Sequence, residues 1–152
     1  MPSAAFCVWL LSVTIAMTAP PPSPETVTVR GKVLMLADAL KSRGLALAPD
    51  SEPIAKQVVI LSEDGTITPL LSDETSRALF VDARLRNRKA QIGARRFAGL
   101  PYLQVVTIEV ESEGRLRTPE YFCEICTISV RYPQICPCCQ GPMEFQMKPD
   151  QR

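Results

Sequence analysis

The sequence predicts a mainly β protein: five strands curled into a small barrel with one short helix, followed by a compact module organised by four cysteines. Three observations carry this. Apolar residues alternate with polar ones in short runs between Val27 and Val110, the period of half-buried strands. Turn dipeptides, Asp64-Gly65 and Glu113-Gly114, punctuate those runs. Five of the six cysteines fall within "CEICTISVRYPQICPCCQGPM", residues 123–143. A chain of 152 residues has room for one ordinary domain, or for a small domain with a satellite module.

The first segment, residues 1–19, holds an apolar run from Ala4 to Met17 without a charged side chain. It is short for a membrane span and matches the apolar core of a secretory signal, or an uncleaved N-terminal anchor. No Lys or Arg precedes the run, and cleavage after Ala19 would leave Pro20 at the new terminus. Cys7 is read as a small apolar residue of this segment. Residues 20–25, "PPPSPE", form a stiff extended linker, since consecutive prolines cannot continue a helix.

The barrel is expected over residues 26–117. "TVTVRGKVLML" places Val27, Val29, Gly31, Val33 and Met35 on one face and Thr28, Arg30 and Lys32 on the other. Gly31 inside this strand suggests a bend or bulge. A long connection from Ala37 to Lys56 follows, with a helical turn at "ADALK" and breakers at Gly44, Pro49 and Pro53. "QVVILSEDGTITPLL" then gives two short strands about Asp64-Gly65. Ser72 is positioned to cap a short helix whose first turn holds Asp73 and Glu74. The fourth strand alternates Ala90, Ile92 and Ala94 with Gln91, Gly93 and Arg95, and "LQVVTIEVE" makes the fifth, ended by Glu113-Gly114. Five strands with a short helix between the third and fourth resemble the OB-fold barrel, a Greek-key sheet that curls to protect its edges.

Residues 118–148 form the cysteine module. Cys123 and Cys126 are one C-x2-C pair and Cys136 and Cys139 another, with nine residues between them. Four thiolates so placed can surround zinc tetrahedrally, closing its coordination shell and making the metal structural; iron suits the same ligands. "CPCCQG" resembles the zinc knuckle of zinc-ribbon and rubredoxin-like modules, with Gly141 permitting the unusual geometry after the last ligand. Ile125, Ile128, Val130 and Ile135 are the expected apolar filling, too little to fold alone without metal binding worth ~10 to 16 kcal/mol in comparable sites. Cys138 is the extra thiol, directed away from the metal or competing for it. Two alternatives stay open. Export favours disulfides, but removal of Cys7 with the signal leaves an odd number of cysteines. A redox-active C-x2-C needs a thiolate stabilised by a helix or positive charge, whereas Glu124 lies inside the first pair.

Composition excludes several functions. With 17 Lys and Arg against 16 acids, the net charge is +1 and no long-range field favours nucleic acid or a membrane surface. Histidine is absent, which removes the usual general base and every mixed Cys/His zinc site. Arg84, Arg86, Arg88, Lys89, Arg95 and Arg96 make a local basic cluster. The presumed binding strands, 57–61 and 66–71, have no aromatic residue on which bases stack, so the cluster reads as a charged strand edge or partner surface. Asp64, Asp73, Glu74 and Asp82 are explained by turns and caps. Tyr121 and Phe122 read as the packing bridge between barrel and module.

Stretches similar to "DGTITPLL", "DARLRNR", "YLQV", the first C-x2-C and "CCQGPME" occur in this order in a group of small bacterial proteins that join an OB-like barrel to a C-terminal four-cysteine module. The chain resembles that group over most of its length. The resemblance implies the architecture and no activity. The expectation is therefore a non-enzymatic, metal-stabilised binding or scaffolding protein, exported to the periplasm or cell envelope. Its metal ligands are Cys123, Cys126, Cys136 and Cys139, its cofactor zinc or iron, and its partner an unidentified protein. Alternatives from other classes are a cytoplasmic single-strand nucleic-acid module and a thiol-disulfide oxidoreductase.

Overall fold

The computed structural model describes residues 23–45, 47–48 and 52–148. The expected signal or anchor segment, Cys7 and the first prolines of the linker lie outside the described residues. No helix among the described residues is long and apolar enough to cross a membrane.

Among the described residues, nine strands form two antiparallel sheets. The first has the order β3-β2-β1-β4-β5-β6, made of β1 (Glu25–Met35), β2 (Val58–Ser62), β3 (Ile67–Pro69), β4 (Lys89–Arg96), β5 (Leu103–Ser112) and β6 (Arg115–Arg117). Three short helices lie among them: α1 (Leu36–Lys41), α2 (Glu52–Ala55) and α3 (Arg77–Val81). The sheet thus has six strands where five are expected. Glu113 and Gly114, at φ 53° and 76°, do not simply end β5 but form a two-residue hairpin turn into β6. The sheet is not closed into a barrel, though a parallel bridge joins Leu70, just after the edge strand β3, to Leu103 at the start of β5, supported by the Leu71 amide donating to the Leu103 carbonyl at 2.9 Å.

β1 belongs to two ladders at once. Glu25 to Lys32 pair with β4, and Gly31 to Met35 pair with β2. Gly31 is needed where the ladders overlap, because a Cβ there would lie 2.3 Å from the Leu61 carbonyl oxygen. The register shift falls instead between Gly93 and Ala94 in β4. The expected role of Gly31 as a bulge is therefore replaced by close approach of a neighbouring backbone.

The turn before α3 also differs from expectation. Ser72 does not cap the helix. Asp73 Oδ1 accepts from the Ser76 amide at 3.0 Å while Ser76 Oγ accepts from the Asp73 amide at 3.0 Å, so the two residues satisfy each other. The fully buried Ser76 also donates to the Leu71 carbonyl at 2.6 Å, delaying the helix to Arg77.

The second sheet has the order β8-β7-β9, with β7 (Pro119–Cys123), β8 (Ile128–Val130) and β9 (Glu144–Met147). Its filling is only in part the one expected, since Val130 packs inward. Ile125 and Ile135 are 80 % and 65 % exposed. Tyr121 enters the main core instead, beside Leu79, Leu85, Ile92 and Val105, and Val130, Tyr132, Met143, Phe145 and Met147 pack against the same cluster. The two sheets share one core, which relieves the cysteine segment of having to build its own.

Candidate metal centre

Each cysteine pair sits on a tight loop, the first at the end of β7 and the second in the connection from β8 to β9. Cys123 closes β7, and the loop 123–127 is the turn of the β7–β8 hairpin, in which Cys123 pairs with Ile128. The second loop runs from Cys136 to Gly141 and is closed by two backbone bonds of 2.9 Å, from the Gln140 amide to the Cys136 carbonyl and from the Cys136 amide to the Gly141 carbonyl. The loops match in backbone as well as in sequence. The residue after the second cysteine is left-handed in both, Thr127 at φ 52° and Gln140 at φ 58°. The expected role of Gly141 in that geometry thus passes to Gln140. Gly141 is not at positive φ, and a Cβ there would meet Cys139 Sγ at 3.4 Å, an ordinary van der Waals contact. A β-branched threonine in the left-handed region is costly, and it is tolerated here at one of the two loops.

The loops bring four sulfurs together. The Sγ atoms of Cys123, Cys126, Cys136 and Cys139 all lie within 4.8 Å of one another, and those of Cys123 and Cys139 are 3.5 Å apart. Tetrahedral coordination at the usual zinc–sulfur distance puts sulfurs about 3.8 Å apart. The four residues fit such an ion.

Backbone amides are aimed at the first sulfur of each pair. At Cys136 the amide of Cys139, against the opposing effect of burial, and then that of Cys138 lower the thiol to about 6. The equivalent amides, of Cys126 and Ile125, act on Cys123 in the same sense, but burial and the thiols of Cys136 and Cys139 outweigh them and its pKa is raised. Cys126 is raised first by the side chain of Cys138 and then by burial. Amides directed at sulfur favour thiolate, the form a metal needs. Cys136 and Cys123 are buried, Cys126 is intermediate and Cys139 exposed. Cys138 is exposed, outside the group of four, with its side chain against Cys126.

The cluster is held to the first sheet through a carboxylate that the sequence explained as a cap. Asp82 does cap the 3-10 turn Ala83–Leu85, accepting from the Arg84 amide at 2.9 Å. It is also 7 % exposed, and its Oδ2 takes both the Arg84 guanidinium and the Tyr121 hydroxyl at 2.6 Å. Arg84 holds the Asp82 carboxyl down to about 2, burial opposing and Tyr121 assisting. Burial, then the hydrogen bond to Asp82, pushes the Tyr121 phenol well above its ordinary value. Arg84 in turn lies over the Phe145 ring of β9, 4.1 Å from its centroid.

Several of the remaining basic residues bond to groups of the protein itself. Arg86 donates at 2.9 Å to the carbonyls of Leu79 and Phe80, which end α3. Arg88 reaches the Glu111 carbonyl at 3.4 Å, and Arg96 pairs with Glu25 at 3.4 Å. Arg95 is exposed on β4.

Fold and site together define a mainly β protein of two packed antiparallel sheets with a four-cysteine cluster suited to a metal ion. Comparison with protein-family models, curated proteins and solved structures found no match.

Proposed function

We propose that the chain is a non-enzymatic binding or scaffolding protein, exported to the periplasm or cell envelope. In this reading one zinc ion, or iron, held by Cys123, Cys126, Cys136 and Cys139 locks a zinc-ribbon-like module onto an OB-like platform. The observation that carries it is the convergence of four sulfurs from two matched loops, a set that leaves a tetrahedral ion no open position for substrate. The metal would supply structural closure of the two loops. Support for the platform comes from β1 shared between β2 and β4, and from the Leu70–Leu103 bridge where a curled sheet would close. The nucleic-acid alternative loses force because Arg84, Arg86 and Arg88 bond to groups of the protein itself.

The test is metal content with thiol counting on protein from its native compartment. One equivalent of zinc or iron per chain is expected, with the four thiols protected until a chelator is added. Metal-free protein with paired thiols would replace the metal centre by disulfides. Recovery of the chain from the cytoplasm alone would overturn export.

A further inference from the structure

Lys32 and Lys89 are direct partners in the β1–β4 ladder, so their ammonium groups leave the same face side by side. Like charges directly opposite destabilise a sheet. Neither lysine forms an ion pair among the described residues. Fold stability gives no reason for this arrangement, and the surroundings give another.

Two cavities of about 650 and 500 Å3 adjoin the pair, and both are lined by Lys32, Lys89 and Glu111. Glu111 lines both cavities and pairs with neither lysine; Arg88 and Glu113 also line the larger, and Arg30, Arg115 and Glu63 the smaller, so cations outnumber carboxylates in each. The smaller cavity is also lined by Leu61, the β2 partner of Lys32, and by Leu116. Its volume lies in the range of about 300 to 1,000 Å3 typical of small-ligand sites. No aromatic residue lines either cavity, so stacking on a ring or base has no support there.

We propose that this end of the first sheet binds an aliphatic carboxylate. Its anionic head sits between Lys32 and Lys89 and its apolar body lies over Leu61, the neighbour of Lys32 on β2. The head neutralises the repulsion that the empty ladder carries, and the tail covers apolar surface beside it. This site is separate from the cysteine cluster and stands or falls independently of the metal.

The test is titration of the 15N-labelled full chain by NMR with octanoate, octylamine and inorganic phosphate. Octanoate should give saturable amide shifts centred on Gly31, Ala90 and Gly114, with octylamine and phosphate at least about tenfold weaker. The Lys32→Gln/Lys89→Gln double variant should lose at least about tenfold in octanoate affinity while its thermal midpoint stays equal or rises, because the repulsion is gone. Lys89→Arg keeps the charge and should keep binding, which separates the charge from any local misfolding. Absence of saturable shifts, equal binding of octylamine or phosphate, or unchanged affinity in the double variant would each overturn the proposal.

Discussion

The Tyr121 hydroxyl donates a 2.6 Å hydrogen bond to Asp82 Oδ2, joining β7 of the second sheet to the turn that leads into β4 of the first. The same carboxylate takes two hydrogen bonds from Arg84 Nε, at 2.9 and 3.1 Å, and one from Nη2. Since Arg84 then covers Phe145, a single buried acid ties two strands of the second sheet to the first.

Tyr121→Phe isolates the first of these links. The ring stays in the core and only the donor is lost, leaving a buried carboxylate oxygen with one partner fewer. Hydrogen bonds to charged groups contribute about 1.5–3 kcal/mol. Urea denaturation of the variant should show a loss of that size with an unchanged slope, and a loss under about 0.5 kcal/mol would mean that water replaces the phenol.

Asp82 also predicts a pH dependence with a definite sign. Its folded carboxyl is lowered to about 2 from 3.8, so it binds protons less readily in the folded state than in the unfolded one. Its contribution is fully present above pH 3.8 and is lost as pH falls toward 2. Arg84 is half-exposed, so solvent screening holds the effect to about 1–2 kcal/mol. Unfolding free energies of the parent and of Asp82→Asn, measured from pH 5 to 2, should converge across that window. Metal loss from protonated thiols affects both proteins and cancels in the difference.

The strands β1 to β5 and both cysteine loops were legible in the sequence because each rests on a local pattern. Alternation fixed which face of β4 and β5 is buried, and C-x2-C spacing marked the loops. What escaped depends on contacts across the chain. Asp82 reads as a cap until Tyr121, 39 residues away, is placed against it. Tyr121 reads as the bridge to the barrel and does enter its core, but Ile125 and Ile135 read as filling because nothing local says that Met143, Phe145 and Met147 pack against that same core. The signal for β6 was local and available: Glu113-Gly114 is a hairpin turn as well as a stop.

Gly31→Ala tests the overlap of the two β1 ladders. The added methyl would sit 2.3 Å from the Leu61 carbonyl oxygen and 2.9 Å from Ser62 Cα, both backbone, so no side chain can swing aside. Overpacking of this kind costs about 1–3 kcal/mol, and a backbone obstacle places the variant at the upper end. Thermal unfolding should show the loss, and amide exchange should place it in β2 and the first turn of α1. A variant as stable as the parent would mean that β2 shifts freely.

Cys136→Ser and Cys138→Ser differ by two positions and should differ completely in outcome. Cys136 is buried within the group of four, and its loop is closed on both sides by 2.9 Å backbone bonds. Serine there removes one of the four sulfurs proposed to hold the ion, and metal affinity should fall by more than about a hundredfold. Cys138 is exposed and outside the group, so Cys138→Ser should keep one equivalent of metal and lose only its contact with Cys126. Hydrogen exchange supplies the structural counterpart. Because Tyr121 and Phe145 belong to the shared core, loss of metal should release amides in the two cysteine loops and β8 while β1, β4 and β5 stay protected. Exchange rising equally in β4 and β5 would show that the metal holds the whole fold; metal lost in Cys138→Ser would make that thiol a ligand.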